Sequence, residues 1–291
     1  MIPAQFDYVR PAALHDALRI LSEREGEAKV LSGGYSLLPL LKLRLAQPGL
    51  LVDIRDIDGL DGIIETDDAL RIGGRATHRR ILEDPMVRAG YPILADTASG
   101  IGDPQVRNWG TIGGSCAHAD PSADWPAVLL ATRASLVCRS ASGERIIPAA
   151  DFFIDSFQTA IEPTELLTEI RIPRWAKGSG GAYAKIERKA GDFSTVGAGV
   201  MVWIGPDGLI GDAGVGLTAV AETPFSPRSA AGHLIGAQPS EATFRAAGAA
   251  AAAEARPVSD SHGPAEYKRA MVEEMTVRAL RSAVERALAQ H

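Results

Sequence analysis

Two short glycine turns carry the residue types that bind phosphate groups. They read Ser32-Gly33-Gly34-Tyr35-Ser36 and Thr111-Ile112-Gly113-Gly114-Ser115. Glycine lacks a Cβ atom, so a ligand can approach its backbone N–H group closely, and the flanking hydroxyls add hydrogen-bond donors. Amides in a turn or at the start of a helix also attract an anion. The residues alone leave two interpretations open, a pair of ordinary loops and a clamp that holds both ends of a diphosphate.

Neither turn matches the commoner nucleotide-binding motifs. The sequence lacks the Gly-x4-Gly-Lys-Ser/Thr pattern of a P-loop, and Gly33-Gly34 does not have the spacing of the G-x-G-x-x-G fingerprint. The nearby carboxylates Asp53, Asp56 and Asp58 are therefore interpreted as a solvated turn and not as a ribose-binding site.

Other polar clusters give little indication of catalysis or of a metal centre. His78, His118, Asp120 and Asp124 lack the spacing of a zinc site, and the sequence contains no Gly-x-Ser-x-Gly nucleophile elbow. Neither a metal ligand nor a catalytic acid, base or nucleophile is expected in this chain.

Hydrophobic periodicity places the first turn between a strand and a helix. Strand 28–31, helix 36–45 and strand 50–54 form a βαβ-like unit, which a helix at 11–24 precedes. Residues 56–176 are predicted to alternate short strands with glycine-rich turns, and residues 177–181 to form a linker. Beyond the linker, the prediction gives strands near 182–187, 196–204 and 213–219 and helices near 240–254 and 264–289.

Composition and cysteine content narrow the class of protein. The 291 residues carry a net charge of −6, which argues against a general nucleic-acid or anionic-membrane surface, and no apolar run is long enough to cross a bilayer. No basic segment followed by an apolar core marks a secretory signal, so we expect a cytoplasmic protein. The two cysteines, Cys116 and Cys138, are too few for an iron–sulfur cluster. Cys116 follows the second glycine turn. A helix start can lower the pKa of a thiol, but most cysteines so placed are small packing residues, and we interpret Cys116 as one of them.

Six motifs occur together in an order that resembles a known family. They are FDYVRP at 6–11, SGGYSLLPLLKLRLA at 32–46, DPQVRNWGTIGGS at 103–115, DPSADWP at 120–126, ELLTEIRIP at 165–173 and KIERKAGDF at 185–193. The chain resembles, over essentially its whole length, the FAD-binding medium subunit of the molybdenum hydroxylases, especially the carbon monoxide dehydrogenase branch.

The resemblance implies an α+β fold with three domains. Residues 1–55 and 56–176 would form the two subdomains of an FAD-binding fold of the vanillyl-alcohol oxidase/PCMH type, with FAD extended between them. Residues 177–291 would form a C-terminal α+β domain of the CO dehydrogenase flavoprotein type.

The resemblance also implies which residues contact FAD. They are Leu31, Ser32, Gly33, Gly34, Tyr35, Ser36 and Leu37 around the first turn, Thr111, Ile112, Gly113, Gly114 and Ser115 in the second, and Ile101, Asp124, Leu167, Lys185 and Phe193. Amides of both turns would meet the pyrophosphate.

The remaining five residues would have separate roles. Asp124 would accept a hydrogen bond from a sugar hydroxyl, and Ile101 and Leu167 would pack against apolar faces of the cofactor. Lys185 would lie beside the pyrimidine edge of the flavin and raise its potential, and Phe193 would cover the ring.

Two positions depart from the family pattern. Close relatives have histidine where this chain has Tyr35, and many relatives have Asp or Asn where it has Ser115. Tyrosine keeps a hydroxyl but cannot supply an imidazole, so a side-chain contact is in doubt at both positions, whereas backbone contacts are expected to persist.

The function implied is electron transfer within a larger complex. The flavin would take electrons from a small subunit with two [2Fe–2S] clusters and pass them to an external acceptor, while a large molybdopterin subunit oxidises the substrate. The assembly would be a dimer of heterotrimers. The alternatives are a stand-alone FAD-dependent oxidase or reductase of the same fold and a scaffold that has lost its cofactor.

Overall fold

The N-terminal unit is a small parallel sheet covered by a helix. The computed structural model describes residues 1–290. Its first elements are β1 (Asp7–Val9), α1 (Leu14–Glu23), β2 (Ala28–Leu31), α2 (Leu37–Lys42) and β3 (Leu50–Asp53). The strands pair in parallel in the order β1-β3-β2. Ala17, Leu18 and Leu21 recur at helical spacing and are buried with Leu50 and Val52 of the central strand. The predicted βαβ unit is confirmed.

The second unit combines an antiparallel sheet with many short helices. Its strands are β4 (Ile63–Glu65), β5 (Ala69–Gly73), β6 (Ser135–Ser140), β7 (Gly143–Pro148), β8 (Phe153–Asp155), β9 (Gln158–Thr159) and β10 (Leu166–Pro173). The sheet order is β4-β5-β10-β6-β7, and β8 and β9 form a separate hairpin. Its helices are α3 (His78–Glu83), α4 (Pro85–Gly90), α5 (Pro92–Gly100), α6 (Pro104–Trp109), α7 (Ile112–His118), α8 (Asp124–Ala131) and α9 (Ala149–Phe152).

These helices correct the prediction of alternating strands and turns for residues 56–176. Proline marks the first helical position of α4, α5 and α6, at Pro85, Pro92 and Pro104. Proline suits that position because its missing N–H has no intrahelical partner there. The side chains of Asp84 and Asp103 accept hydrogen bonds from the first-turn amides of α4 and α6.

The C-terminal unit packs three helices with an antiparallel sheet. Its elements are β11 (Ser179–Glu187), β12 (Ser194–Ile204), β13 (Ile210–Thr218), α10 (Arg228–Leu234), α11 (Glu241–Glu254) and α12 (Ala265–Leu288). The linker predicted for 177–181 is wrong in part, because β11 begins at Ser179. A Cβ atom at Gly180 would lie 2.0 Å from the carbonyl oxygen of Ala283 in α12. Glycine is therefore needed there for close helix packing and not for a flexible connection.

The second and third units share a tightly packed boundary. Arg286 of α12 donates to Asp96 of α5 at 2.6 Å and to the carbonyl oxygen of Gly181 at 2.7 Å. A Cβ atom at Gly216 of β13 would lie 2.0 Å from the carbonyl oxygen of Ala127, so α8 lies directly on the third sheet. This packing fixes Asp124, the first residue of α8, against the strands of the C-terminal unit.

Within residues 1–290, no helix is both long and apolar enough to cross a membrane.

Candidate flavin-binding site

The two glycine turns meet across the boundary between the first and second units. The hydroxyl oxygens of Ser32 and Thr111 lie 3.0 Å apart. A Cβ atom at Gly33 would lie 2.1 Å from the carbonyl oxygen of Trp109 and 2.9 Å from the Cα of Gly110. The backbone of the first turn therefore packs against the segment that leads into the second.

The first turn presents amides that the fold itself does not use. Within the described residues 1–290, the N–H groups of Gly33, Gly34 and Tyr35 donate to no protein acceptor. Gly34 has a φ of +83°, a conformation that a side chain disfavours. The turn lies between buried Leu31 and half-buried Leu37, with Ser36 immediately before α2. These amides are free to donate hydrogen bonds to an anionic ligand.

The second turn uses its amides differently. The N–H groups of Ile112 and Gly113 donate to the carbonyl oxygens of Ala76 and Gly74, at 3.0 and 2.9 Å. Those of Gly114 and Ser115 donate to the side chain and the carbonyl oxygen of Thr111.

The amides of the second turn are thus engaged in starting α7 and joining it to the sheet. Thr111 caps α7 and contacts Ser32, while the Ser115 hydroxyl has no partner in the part of the chain that the structure describes. What this turn can offer a ligand is therefore mainly its hydroxyls, where the sequence had predicted amides.

A cation–π contact also joins the two units. The Arg55 guanidinium lies 5.8 Å from the ring centre of Trp109, which is 55% exposed. Arg55 also donates to Asp53 at 2.8 Å, and the Tyr8 hydroxyl donates to the same carboxylate oxygen at 2.7 Å.

Asp53 corrects another sequence prediction. It is fully buried, so its assignment to a solvated turn is wrong. Its carboxylate is satisfied by the amide of Arg55 as well as by the two side chains just described. Asp56 and Asp58 are exposed, as the sequence predicted.

A buried polar cluster lies where the second unit meets the third. The Asp124 carboxylate accepts hydrogen bonds at Oδ1 from the hydroxyls of Tyr183 and Ser194, at 2.6 and 2.7 Å. Its Oδ2 lies 3.4 Å from the ammonium of Lys185. Burial raises the pKa of Asp124, while Lys185 and the two hydroxyls act in the opposite direction.

The Lys185 ammonium has two further oxygen partners. Nζ lies 2.9 Å from Glu187 Oε2 and 3.1 Å from the carbonyl oxygen of Asp192. Its side chain passes Gly100, whose Cβ position would lie 3.2 Å from Lys185 Cε. Lys185 is therefore a buried, compensated cation and not an exposed one. Sequence reasoning missed Glu187, although the alternation Tyr183-x-Lys185-x-Glu187 predicts one face of a strand.

The three apolar residues predicted to contact the cofactor lie in different parts of the second and third units. Ile101 is half-buried directly after α5, and its carbonyl oxygen accepts from Arg107 at 2.9 Å. Leu167 is buried in β10, where its carbonyl oxygen lies against Gly74 and thus beneath the second turn. Phe193 is 50% exposed directly before β12, where its ring is free of the protein core.

A surface cavity of about 310 Å³ opens beside the second turn. Its lining comprises Asp61, Arg75, Thr77, Arg79, Arg80 and Glu83. The backbone of Thr77 bridges to that of Thr111. Arg75 pairs with Asp61 and Arg79 with Glu83, each at 2.9 Å, so much of the cavity's positive charge is compensated.

His78 supports the second turn from beneath. Its Nδ1 accepts a hydrogen bond from Trp125 at 3.1 Å, and its ring edge packs on Gly110. Burial, helped by the positive charge of Arg107, lowers the pKa of His78 to about 4. The imidazole is therefore neutral near pH 7, and its role is in packing.

The two thiols are predicted to be inert in the folded protein. Cys116 and Cys138 are free and buried, and burial raises the pKa of both, that of Cys138 to about 12. Burial outweighs any lowering of the Cys116 pKa by the start of α7, which agrees with its interpretation as a packing residue. At mildly alkaline pH we expect iodoacetamide to alkylate both at least about 1,000-fold more slowly in the folded than in the denatured protein. Rapid labelling of either thiol in the folded protein would contradict this burial.

Two models of known protein families match this chain. Residues 4–175 match the family model described as the FAD binding domain in molybdopterin dehydrogenase, and residues 181–283 match the CO dehydrogenase flavoprotein C-terminal domain. The chain belongs to the FAD-binding subunits of the molybdopterin dehydrogenases. The family and the fold that the motifs predicted are confirmed, and with them FAD as the cofactor and the oxidoreductase class.

Curated relatives match over nearly their full length. The carbon monoxide dehydrogenase medium chain of Hydrogenophaga pseudoflava is 40% identical over 283 residues, which cover 97% of this chain and 98% of the relative. That of Afipia carboxidovorans is 42% identical over 290 residues, which cover 100% of this chain and 99% of the relative.

Solved structures agree with this assignment. A chain of the cyanide-inactivated Cu,Mo-CO dehydrogenase superposes with a TM-score of 0.95 at 41% identity, covering 98% of this chain and 100% of that one. A chain of quinoline 2-oxidoreductase from Pseudomonas putida 86 has a TM-score of 0.93 at 32% identity, covering 99% and 100%. Because these two enzymes are named for different substrates, the fold of this subunit does not specify one.

Proposed function

We propose that this flavoprotein subunit transfers electrons from a [2Fe–2S] subunit to an external acceptor. The observation that carries the proposal is the contact between Ser32 and Thr111, which joins two glycine turns at a domain boundary. The sequence has only two cysteines, both buried, so electrons from an iron–sulfur cluster must arrive from another chain. Bound FAD supplies the redox chemistry, since it can accept and release electrons singly or in pairs.

The residues of this chain would bind and orient the cofactor. The unengaged amides of Gly33, Gly34 and Tyr35 fit a pyrophosphate, and the hydroxyls of Ser32 and Ser115 would add donors beside it. Fixed backbone donors suit this task because they do not have to be reoriented when the anion binds.

Farther along the boundary, the remaining predicted contacts would surround the rest of the cofactor. Lys185 and Asp124 would lie at its polar edge, Ile101 would pack against an apolar face, and Phe193 is exposed enough to cover a ring. Leu167 would support the second turn from beneath. None of these side chains is required to act as a general acid, base or nucleophile.

We further propose that the chain assembles with a small [2Fe–2S] subunit and a large molybdopterin subunit, as a dimer of heterotrimers. The domain boundaries at residues 55 and 176 would separate two FAD-binding subdomains from a C-terminal domain. The family assignment and the full-length match to carbon monoxide dehydrogenase medium chains support this assembly. We place it in the cytoplasm, whose reducing conditions keep thiols such as Cys116 free.

Anaerobic titration distinguishes this function from that of a stand-alone oxidase or reductase. The FAD-loaded chain is mixed with candidate substrates (carbon monoxide, aldehydes, purines and N-heterocycles), first alone and then with its two partner subunits. We expect the flavin absorbance to bleach only in the complete complex, while dithionite bleaches it in both samples. Bleaching of the isolated chain by an organic substrate would instead establish the stand-alone enzyme.

A further inference from the structure

The two carboxylate oxygens of the buried residue Asp124 have different partners. Asp124 is 6% exposed, and both of its hydroxyl donors, Tyr183 and Ser194, converge on Oδ1. Oδ2 is left facing Lys185. The two hydroxyls also lie 3.2 Å from each other, so the carboxylate and its donors form a closed triangle.

The strands of the third sheet create this triangle. Tyr183 and Lys185 are two residues apart in β11 and therefore share a face of the sheet. Ser194 begins β12 opposite Glu187 of β11. A Cβ atom at Gly197 would lie 2.2 Å from the Tyr183 hydroxyl, so β12 has glycine where that hydroxyl needs space. The arrangement is built by the fold and does not depend on a mobile surface side chain.

We propose that Tyr183 and Ser194 are positioning residues, whose hydroxyls hold Asp124 as a carboxylate with Oδ2 turned towards Lys185. They thereby fix the charge balance around the Lys185 ammonium. This inference rests on the proposed function, because the position of Lys185 bears on electron transfer only where a flavin lies beside it.

The direction of the effect follows from the surroundings of Asp124. An ionised carboxylate accepts both hydroxyl hydrogen bonds and attracts Lys185, whereas burial favours the neutral acid. Burial and the neighbouring carboxylate raise the pKa of Tyr183 well above its ordinary value, so its hydroxyl remains a donor throughout the working range of pH. Removing either hydroxyl should therefore raise the pKa of Asp124 further.

Other charged groups lie beside this cluster and contribute to the electrostatic environment of Lys185. Glu187 and the carbonyl oxygen of Asp192 contact Lys185 from β11 and from the turn before β12. From α5, the Asp96 carboxylate accepts from the amide of Tyr183 and pairs with Arg286 of α12. Because none of these groups contacts Asp124 itself, the substitutions proposed at Tyr183 and Ser194 leave them in place.

The first experiment uses the apoprotein and does not depend on FAD. The carboxyl carbon of Asp124 is titrated by ¹³C NMR, with its signal assigned by its loss in Asp124→Asn. We expect Tyr183→Phe and Ser194→Ala each to move the midpoint upward by about one pH unit, the size typical of one hydrogen bond to a charged group. An unchanged midpoint in both variants would overturn the proposal.

Tyr8→Phe is the matched control. It also removes a tyrosine hydroxyl from a buried aspartate, Asp53, but in the N-terminal unit. We expect it to leave the Asp124 midpoint where it is in the unmodified chain. A shift as large as that in Tyr183→Phe would mean that loss of any such hydrogen bond perturbs Asp124, which would overturn the specific role.

The second experiment measures the reduction potential of bound FAD against pH. A neutral Asp124 leaves the positive charge of Lys185 less compensated, so the reduction potential should rise below the pH at which Asp124 titrates. A plot of potential against pH should therefore bend at that pH, and Tyr183→Phe should move the bend upward by about one pH unit. A merely structural role would lower FAD occupancy without moving the bend. An Asp124 midpoint that shifts while the bend stays fixed would refute the connection to the flavin. Failure of the unmodified chain to take up FAD would refute the proposed function, and the apoprotein titration would still decide the role of the hydroxyls.

Discussion

Replacing Gly33 with alanine is expected to lower the affinity for FAD roughly 30-fold or more. The new Cβ atom would lie 2.1 Å from the carbonyl oxygen of Trp109, and neither backbone can move without separating the two turns. Overpacking of this kind costs about 2 kcal/mol, which corresponds to that change in Kd. Flavin fluorescence during titration of the apoprotein gives the dissociation constant, and the flavin absorbance of the purified protein gives its occupancy.

Gly232→Ala provides the control for this substitution. Gly232 lies within α10 of the C-terminal unit, and apart from its chain neighbours and the adjacent backbone of its own helix, no atom lies within 4 Å of the position of a Cβ there. The same chemical change should therefore leave FAD affinity and occupancy as they are in the unmodified protein. Normal FAD binding by Gly33→Ala would contradict the role assigned to the contact between the turns.

Lys185→Met is expected to destabilise the folded protein by about 3 kcal/mol, since it removes one partner of a buried ion pair. The side chains of Lys185 and Asp124 are 8% and 6% exposed, so water cannot replace the lost charge. Glu187, only 2.9 Å from the ammonium, also loses its partner. Urea denaturation of the apoprotein measures the loss, and a decrease in FAD affinity should accompany it.

Two further variants distinguish the loss of the Lys185 charge from a general loss of stability. Lys189→Met removes an exposed lysine from the neighbouring turn and should have little effect on stability. Adding Asp124→Asn to Lys185→Met should restore about 1 kcal/mol, because the carboxylate left unpaired is then neutral. If the double variant were no more stable than Lys185→Met, coupling between these two side chains would be contradicted.

The sequence predicted long elements well because their periodicity covers many residues. The helices Glu241–Glu254 and Ala265–Leu288 lie where hydrophobic spacing indicated them. The short helices of the second unit were missed because helices of four to nine residues contain too few turns to establish a period. At Gly180, packing against Ala283 outweighs the usual preference of glycine for loops.

The site could be predicted only in part for a similar reason. Residue types indicated two phosphate-binding turns, and the structure brings Ser32 and Thr111 into contact. It also engages the amide of Gly113 with the sheet, a pairing between distant segments that local sequence cannot reveal. Likewise, the resemblance indicated Lys185 but not its partner Glu187, because their contact depends on strand geometry.

A crystal structure of the chain with FAD bound tests the central claim most directly. We predict the pyrophosphate oxygens within about 3.2 Å of the amides of Gly33 and Gly34, beside the hydroxyls of Ser32 and Ser115. A pyrophosphate located elsewhere, such as in the cavity between Arg75 and Arg80, would contradict the assignment of the two glycine turns as the clamp.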